Sequence, residues 1–126
     1  MTMKLSDILN INNVLKKIIE YKETNIDPLL KFKLLGVMKN IEIPVSNYEK
    51  VRGEKIMEYG EENPEEKGMY SIAENDIEAR KKFEKDMNSL INTDVDVFFA
   101  KLKPEDVFDK GLPAEFLVAL YPIIEE

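Results

Sequence analysis

Apolar residues recur every three or four positions through "LSDILNINNVLKKIIEYK", at Ile8, Ile11, Leu15 and Ile18, with Val14 and Ile19 widening the stripe. That spacing puts them on one face of a helix, predicted over about 6–22. Ser6 is its expected N-cap, accepting from a first-turn amide that has no partner within the helix. Asn10, Asn12 and Asn13 lower the local preference, so this helix should depend on packing. After "ETNIDP" comes the clearest helix start in the chain, where Asp27 caps and Pro28 takes the first helical position. Leu30, Leu34, Met38, Ile41, Val45, Tyr48, Arg52, Lys55 or Ile56, and Tyr59 then follow at steps of three or four. Pro44 interrupts the stripe without shifting its phase. A proline inside a helix removes one hydrogen bond and crowds the preceding turn, at a cost of roughly 3 kcal/mol. The pattern therefore predicts one long helix over 28–60, kinked near Pro44 and stopped by Gly60.

The second half alternates shorter elements. "GMYSI" reads as a strand over about 69–72, and Asn75 with Glu78 makes a capping-box start for a helix over 75–92 that buries Ala79, Phe83, Met87 and Leu90. "DVDVFFAKL" alternates, with Val95, Val97 and Phe99 opposite Asp94 and Asp96, which predicts a half-buried strand over about 94–100. Pro104 and Pro113 are helix starts, with Gly111 a stop between them, and a last helix is expected over 113–121. Ten of the thirteen residues from Leu112 to Ile124 are apolar. That stretch either packs on the core of its own chain or is held by another subunit. The expected fold is α+β and predominantly helical: a long kinked helix and two or three further helices packed with a small two-stranded sheet, in a single domain spanning 1–126.

Composition narrows the chemistry. The chain has no histidine and no cysteine. It therefore lacks an imidazole base, a thiolate nucleophile, a disulfide framework and the commonest transition-metal ligands. An enzyme built from it would have to run on carboxylates, tyrosines and lysines. Gly36, Gly53, Gly60, Gly68 and Gly111 are scattered and form no phosphate-binding loop. Strand alternation accounts for the spacing of Asp94 and Asp96 without a metal. No catalytic, cofactor-binding or metal-binding residue is assigned, and no cofactor is expected. No stretch approaches the roughly 20 apolar residues of a membrane span, and the amino-terminal residues lack a signal-peptide core, so a cytoplasmic location is expected.

Charge is unevenly placed. Residues 1–60 carry ten Lys and Arg against eight Asp and Glu, and residues 61–126 carry eight against seventeen. Five glutamates fall between Glu58 and Glu66 with no basic residue among them, which disfavours nucleic acid and anionic lipid as partners of that segment. A solvated loop explains the run, and an acidic docking surface is the alternative. Arg80, Lys81, Lys82 and Lys85 lie among Glu78, Glu84 and Asp86, where pairing along a helix accounts for them.

The run "KFKLLGVMKNIEIPVSNYEKVRGEKIMEYGEE", followed by a glycine-bearing loop, "MYSI", "ARKKFEKDMNSLINTDVDV" and an acidic "IIEE" end, resembles a family of small uncharacterised proteins of tailed phages and prophages from Gram-positive hosts. The resemblance spans about four fifths of the chain, from Lys31 onward, and is carried by Glu49, Arg52, Tyr59, Gly60, Phe83, Val95 and Val97. It implies a phage-borne protein encoded near tail or lysis genes. Together these readings lead to a non-enzymatic accessory protein that binds another protein of phage or host, in virion or tail assembly. Glu49, Arg52, Tyr59 and Gly60 are the candidate contact residues. An alternative is an anti-defence protein whose acidic surface blocks a host immune component. The expected setting is the host cytoplasm, with association to the virion, and the long amphipathic helix and thin sheet lead to a homo-oligomer.

Overall fold

The structure is a computed structural model that describes residues 1–20 and 25–126. In chain order the elements are β1 (Thr2–Lys4), α1 (Leu5–Glu20), α2 (Pro28–Tyr59), β2 (Glu61–Glu62), β3 (Tyr70–Ser71), α3 (Ile77–Ile91), β4 (Asp94–Asp96), α4 (Pro104–Val107) and α5 (Ala114–Leu120), followed by a 3-10 turn at Tyr121–Ile123. The fold is α+β and predominantly helical. The chain divides into two compact units, Met1–Val45 with Asp94–Glu126, and Ser46–Thr93.

The first unit holds nearly all of the core. Ile8, Ile11, Leu15 and Ile18 of α1 are buried, as are Leu30, Leu34, Val37, Ile41 and Val45 of α2. Their spacing is the three-and-four stripe of the sequence, with Val37 taking the place expected for Met38. α2 starts as its sequence dictates: the Asp27 carboxylate accepts from Leu30 N at 3.2 Å. It runs unbroken through Pro44, which leaves the Asn40 carbonyl without its usual amide donor. Gly111 adopts φ +93°, and a Cβ there would collide with the carbonyl oxygen of Asn25. Beside it Asp27 N donates to Lys110 O at 2.9 Å, which ties the loop before α5 to the start of α2.

The apolar carboxyl-terminal stretch packs within its own chain. Phe116, Leu120, Ile123 and Ile124 are buried, and α5 lies against α1. Leu102 N donates to Ile123 O at 2.7 Å and Glu125 N to Leu102 O at 2.8 Å, a short parallel bridge that fixes this segment.

Several local expectations are corrected. The two anticipated strands lie in separate sheets, each paired antiparallel with a segment whose sequence carries no strand period. β4 pairs with β1, Lys4 opposite Asp94 and Thr2 opposite Asp96, and β3 pairs with β2. The β4 ladder ends at Asp96, although burial continues to alternate, with Val97 buried between exposed Asp96 and Phe98. Because β1 runs directly into α1 at Leu5, Ser6 lies inside the helix and does not cap it. The cap of α3 is Asp76, one residue beyond Asn75, and its carboxylate accepts from Ala79 N at 3.1 Å. The 6–22 helix is described as far as Glu20; residues 21 and 22 lie outside the described residues.

Candidate functional site

The Ser46–Thr93 unit contains all four candidate contact residues, Glu49, Arg52, Tyr59 and Gly60. Its supports are the last turns of α2, the β2–β3 hairpin and α3. Gly60 ends α2, its amide donating to Ile56 O at 2.7 Å. A Cβ at this position would stand 2.5 Å from the Ser71 carbonyl oxygen and 2.6 Å from that of Ile56, so only glycine lets β3 approach the helix end so closely. The acidic run is the tip of this hairpin. Asn63 N donates to Met69 O at 2.7 Å, the Asn63 side chain accepts from Glu65 N at 3.0 Å, and the Glu62 carboxylate accepts from Gly68 N at 2.9 Å. Backbone and short polar side chains hold the loop, and Glu58, Glu61, Glu62, Glu65 and Glu66 are all exposed.

Tyr59 sits in the last turn of α2 and its hydroxyl donates to Asp86 of α3 at 2.6 Å. Lys55, one turn earlier, donates to Glu58 at 2.9 Å, reaches Asp86 at 3.6 Å, and lies 5.7 Å from the centre of the Tyr59 ring. These contacts fix the protonation of all three groups. The Tyr59 hydrogen bond holds the Asp86 carboxyl below its ordinary value, and Lys55 adds to the effect. The same bond, with desolvation, raises Tyr59, and the hydrogen bond to Glu58 raises Lys55. At neutral pH the cluster is a carboxylate, a phenol and an ammonium, none of them poised to exchange a proton. It clamps α2 to α3.

Beside the clamp lies an open cleft of about 320 Å³. Ile56, Ile72 and Phe83 line it with apolar surface, and Arg52, Arg80 and Tyr70 add polar groups, with Ser71 and Glu84 completing the wall. The Arg52 guanidinium lies over the Phe83 ring, 5.9 Å from its centre, a cation–π distance that positions the side chain at the cleft. Arg80 donates to the Glu74 carbonyl at 3.3 Å. Two guanidiniums over an apolar floor suit a carboxylate next to a hydrophobic group. Among the candidate contacts, Arg52 belongs to this cleft, Tyr59 to the clamp and Gly60 to the helix end, whereas exposed Glu49 lies on α2 outside all three. Arg80 and Asp86 are the residues that sequence reasoning missed. Both read as members of a charged helix face, and their roles depend on segments about 27 residues away.

Among the described residues no group of three or more acidic side chains is placed to hold a metal ion, and no helix is long and apolar enough to cross a membrane. No family model matches the chain, and neither a curated protein nor a solved structure with significant similarity was found.

Proposed function

We propose that this chain is a non-enzymatic accessory protein of a tailed phage or prophage, acting in the host cytoplasm or on the virion by binding another protein in virion or tail assembly. One observation carries the reading: from Ser46 to Thr93 a single side chain, Met87, is buried. Ile56, Phe83, Leu90 and Ile91 are left half-covered, while Met57, Met69 and Ile77 are more than half exposed. A unit this thin gains most from an added surface. The Arg52–Arg80 cleft supplies the polar selectivity, accepting an acidic side chain flanked by apolar residues on the partner.

Capture of partners by the tagged full-length protein from a phage-induced lysate, in parallel with Arg52→Glu and Arg80→Glu, tests the proposal. A phage structural protein held by the parent and lost from both variants supports it. An identical set of captured proteins in all three removes the cleft from the interface.

The exposed glutamates at the hairpin tip favour a second reading, in which the acidic segment occupies a basic groove of a host immune component. Plating of phage with and without the gene, on hosts with and without their immune systems, decides this. Equal plating on all hosts eliminates it.

A further inference from the structure

Leu29, Phe32 and Ile43 of α2 are 53%, 74% and 71% exposed, with Leu35 at 44% beside them. The core side of the same helix is made by Leu30, Leu34, Val37, Ile41 and Val45, so within the first unit α2 is apolar on two faces and buries one. The other face runs Leu29, Phe32, Gly36, Asn40, Ile43 and carries no charge. At 3.6 residues per turn these positions stay within about 80° of the helix circumference. Their steps are three, four, four and three, the same read from either end, with Gly36 in the middle.

Among the described residues nothing requires that glycine. A Cβ on Gly36 would meet no atom within 4 Å, and its φ is not positive. Glycine is also the poorest interior helix former after proline. Asn40 donates to the Gly36 carbonyl at 2.9 Å, so its side chain lies back along the helix with its polar group occupied. The flanking charges are spoken for as well, Lys33 by Asp106 at 2.7 Å and Lys39 by Glu42 at 3.2 Å.

We infer that this face binds the same face of a second copy, the two helices running antiparallel and crossing at Gly36 on a two-fold axis. Leu29 meets Ile43 of the second copy and Phe32 lies between its Gly36 and Asn40, while the paired glycines let the backbones approach. An isologous contact needs a surface that is its own complement, and a spacing symmetric about one residue provides it. A standard interface takes about 800 Å² from each partner, a little over half of it apolar. At roughly 200 Å² for a large side chain, the exposed parts of Leu29, Phe32 and Ile43 on this face supply about 400 Å² per copy, close to that apolar share.

The absence of cysteine makes the test direct, because an introduced thiol is the only one present. A residue on the axis faces itself, so Gly36→Cys should oxidise to a disulfide-linked species of twice the 14.6 kDa chain mass. Leu29→Cys and Ile43→Cys should cross-link when mixed, and neither alone. Gly53→Cys, at another open α2 glycine, should stay unlinked. In sedimentation velocity the parent should dimerise with rising concentration, and Phe32→Glu should weaken the dimer on the order of tenfold or more. Phe32→Ser serves if the charged variant misfolds. A parent that stays monomeric to about 200 µM, a dimer unaffected by either Phe32 variant, or equal cross-linking at Gly36→Cys and Gly53→Cys overturns the inference.

Discussion

Asp86 and Asp106 each hold a carboxylate that the folded chain stabilises, the first mainly through Tyr59 and the second mainly through Lys33. Both are lowered from an ordinary value of 3.8, so the unfolded chain binds more protons than the folded one as the medium is acidified. Their contribution is present above that value and is lost as pH falls through the native one. Thermal melts between pH 2 and 7 (about the range set by that value) should show a fall in acid that Asp86→Asn and Asp106→Asn each reduce. An unchanged acid fall in both variants would show that neither carboxylate is anchored as described. Tyr59 acts at the opposite end. Its value is raised above 10.0, so its contribution is intact below that pH and lost as pH rises through the native value, a loss that Tyr59→Phe should remove. Gly60 offers a test of backbone proximity. Gly60→Ala forces a methyl group against two carbonyl oxygens and should destabilise by about 1–3 kcal/mol, whereas Gly53→Ala, with open space around it, should stabilise by about 0.5–1 kcal/mol. Urea titration of the two variants checks the contrast.

At the scale of elements, α2 carries the most readable sequence and the clearest local consequences. Leu34→Ala removes a side chain that is 2% exposed and should cost about 2–5 kcal/mol in urea titration. Asp27→Ala should cost about 1 kcal/mol through loss of the cap. Both features were legible because they are local: a stripe at steps of three and four, an Asp-Pro start and a glycine stop all lie within one segment. β1 and β2 were not legible. A strand of two or three residues shows at most one inward side chain, Met3 in β1, and one position has no period. The pairing of Met3 with Val95 joins residues that no local pattern connects. The site divides the same way. Arg52, Tyr59 and Gly60 stood out in the α2 sequence, but Asp86 and Arg80 became functional candidates only when α3 was placed beside them. The capping box at Asn75 failed by one residue because Asp76 is the better acceptor for Ala79 N, a choice between neighbours of nearly equal propensity.

At the scale of the molecule, the two units differ in how much they bury. Local opening is easiest where few apolar contacts oppose it. Hydrogen exchange should therefore show α3 and the β2–β3 hairpin opening at lower free energy than α1, whose Ile8, Ile11 and Leu15 are essentially inaccessible. Equal protection of α1 and α3 amides would contradict the contrast in burial. If the Arg52–Arg80 cleft binds a partner, protection in α3 should rise on addition of that partner while α1 changes little.

The larger unit is discontinuous, with Ser46–Thr93 lying between its two pieces. On a ribosome making roughly 5–20 residues per second, α1 and the first turns of α2 emerge several seconds before β4 and α5 exist to complete their sheet and cover. Nascent Ile8, Leu15 and Leu34 must wait in water or on a chaperone for that interval. A slow stretch of message after codon 45 would lengthen the wait, and aggregation during synthesis should rise with it.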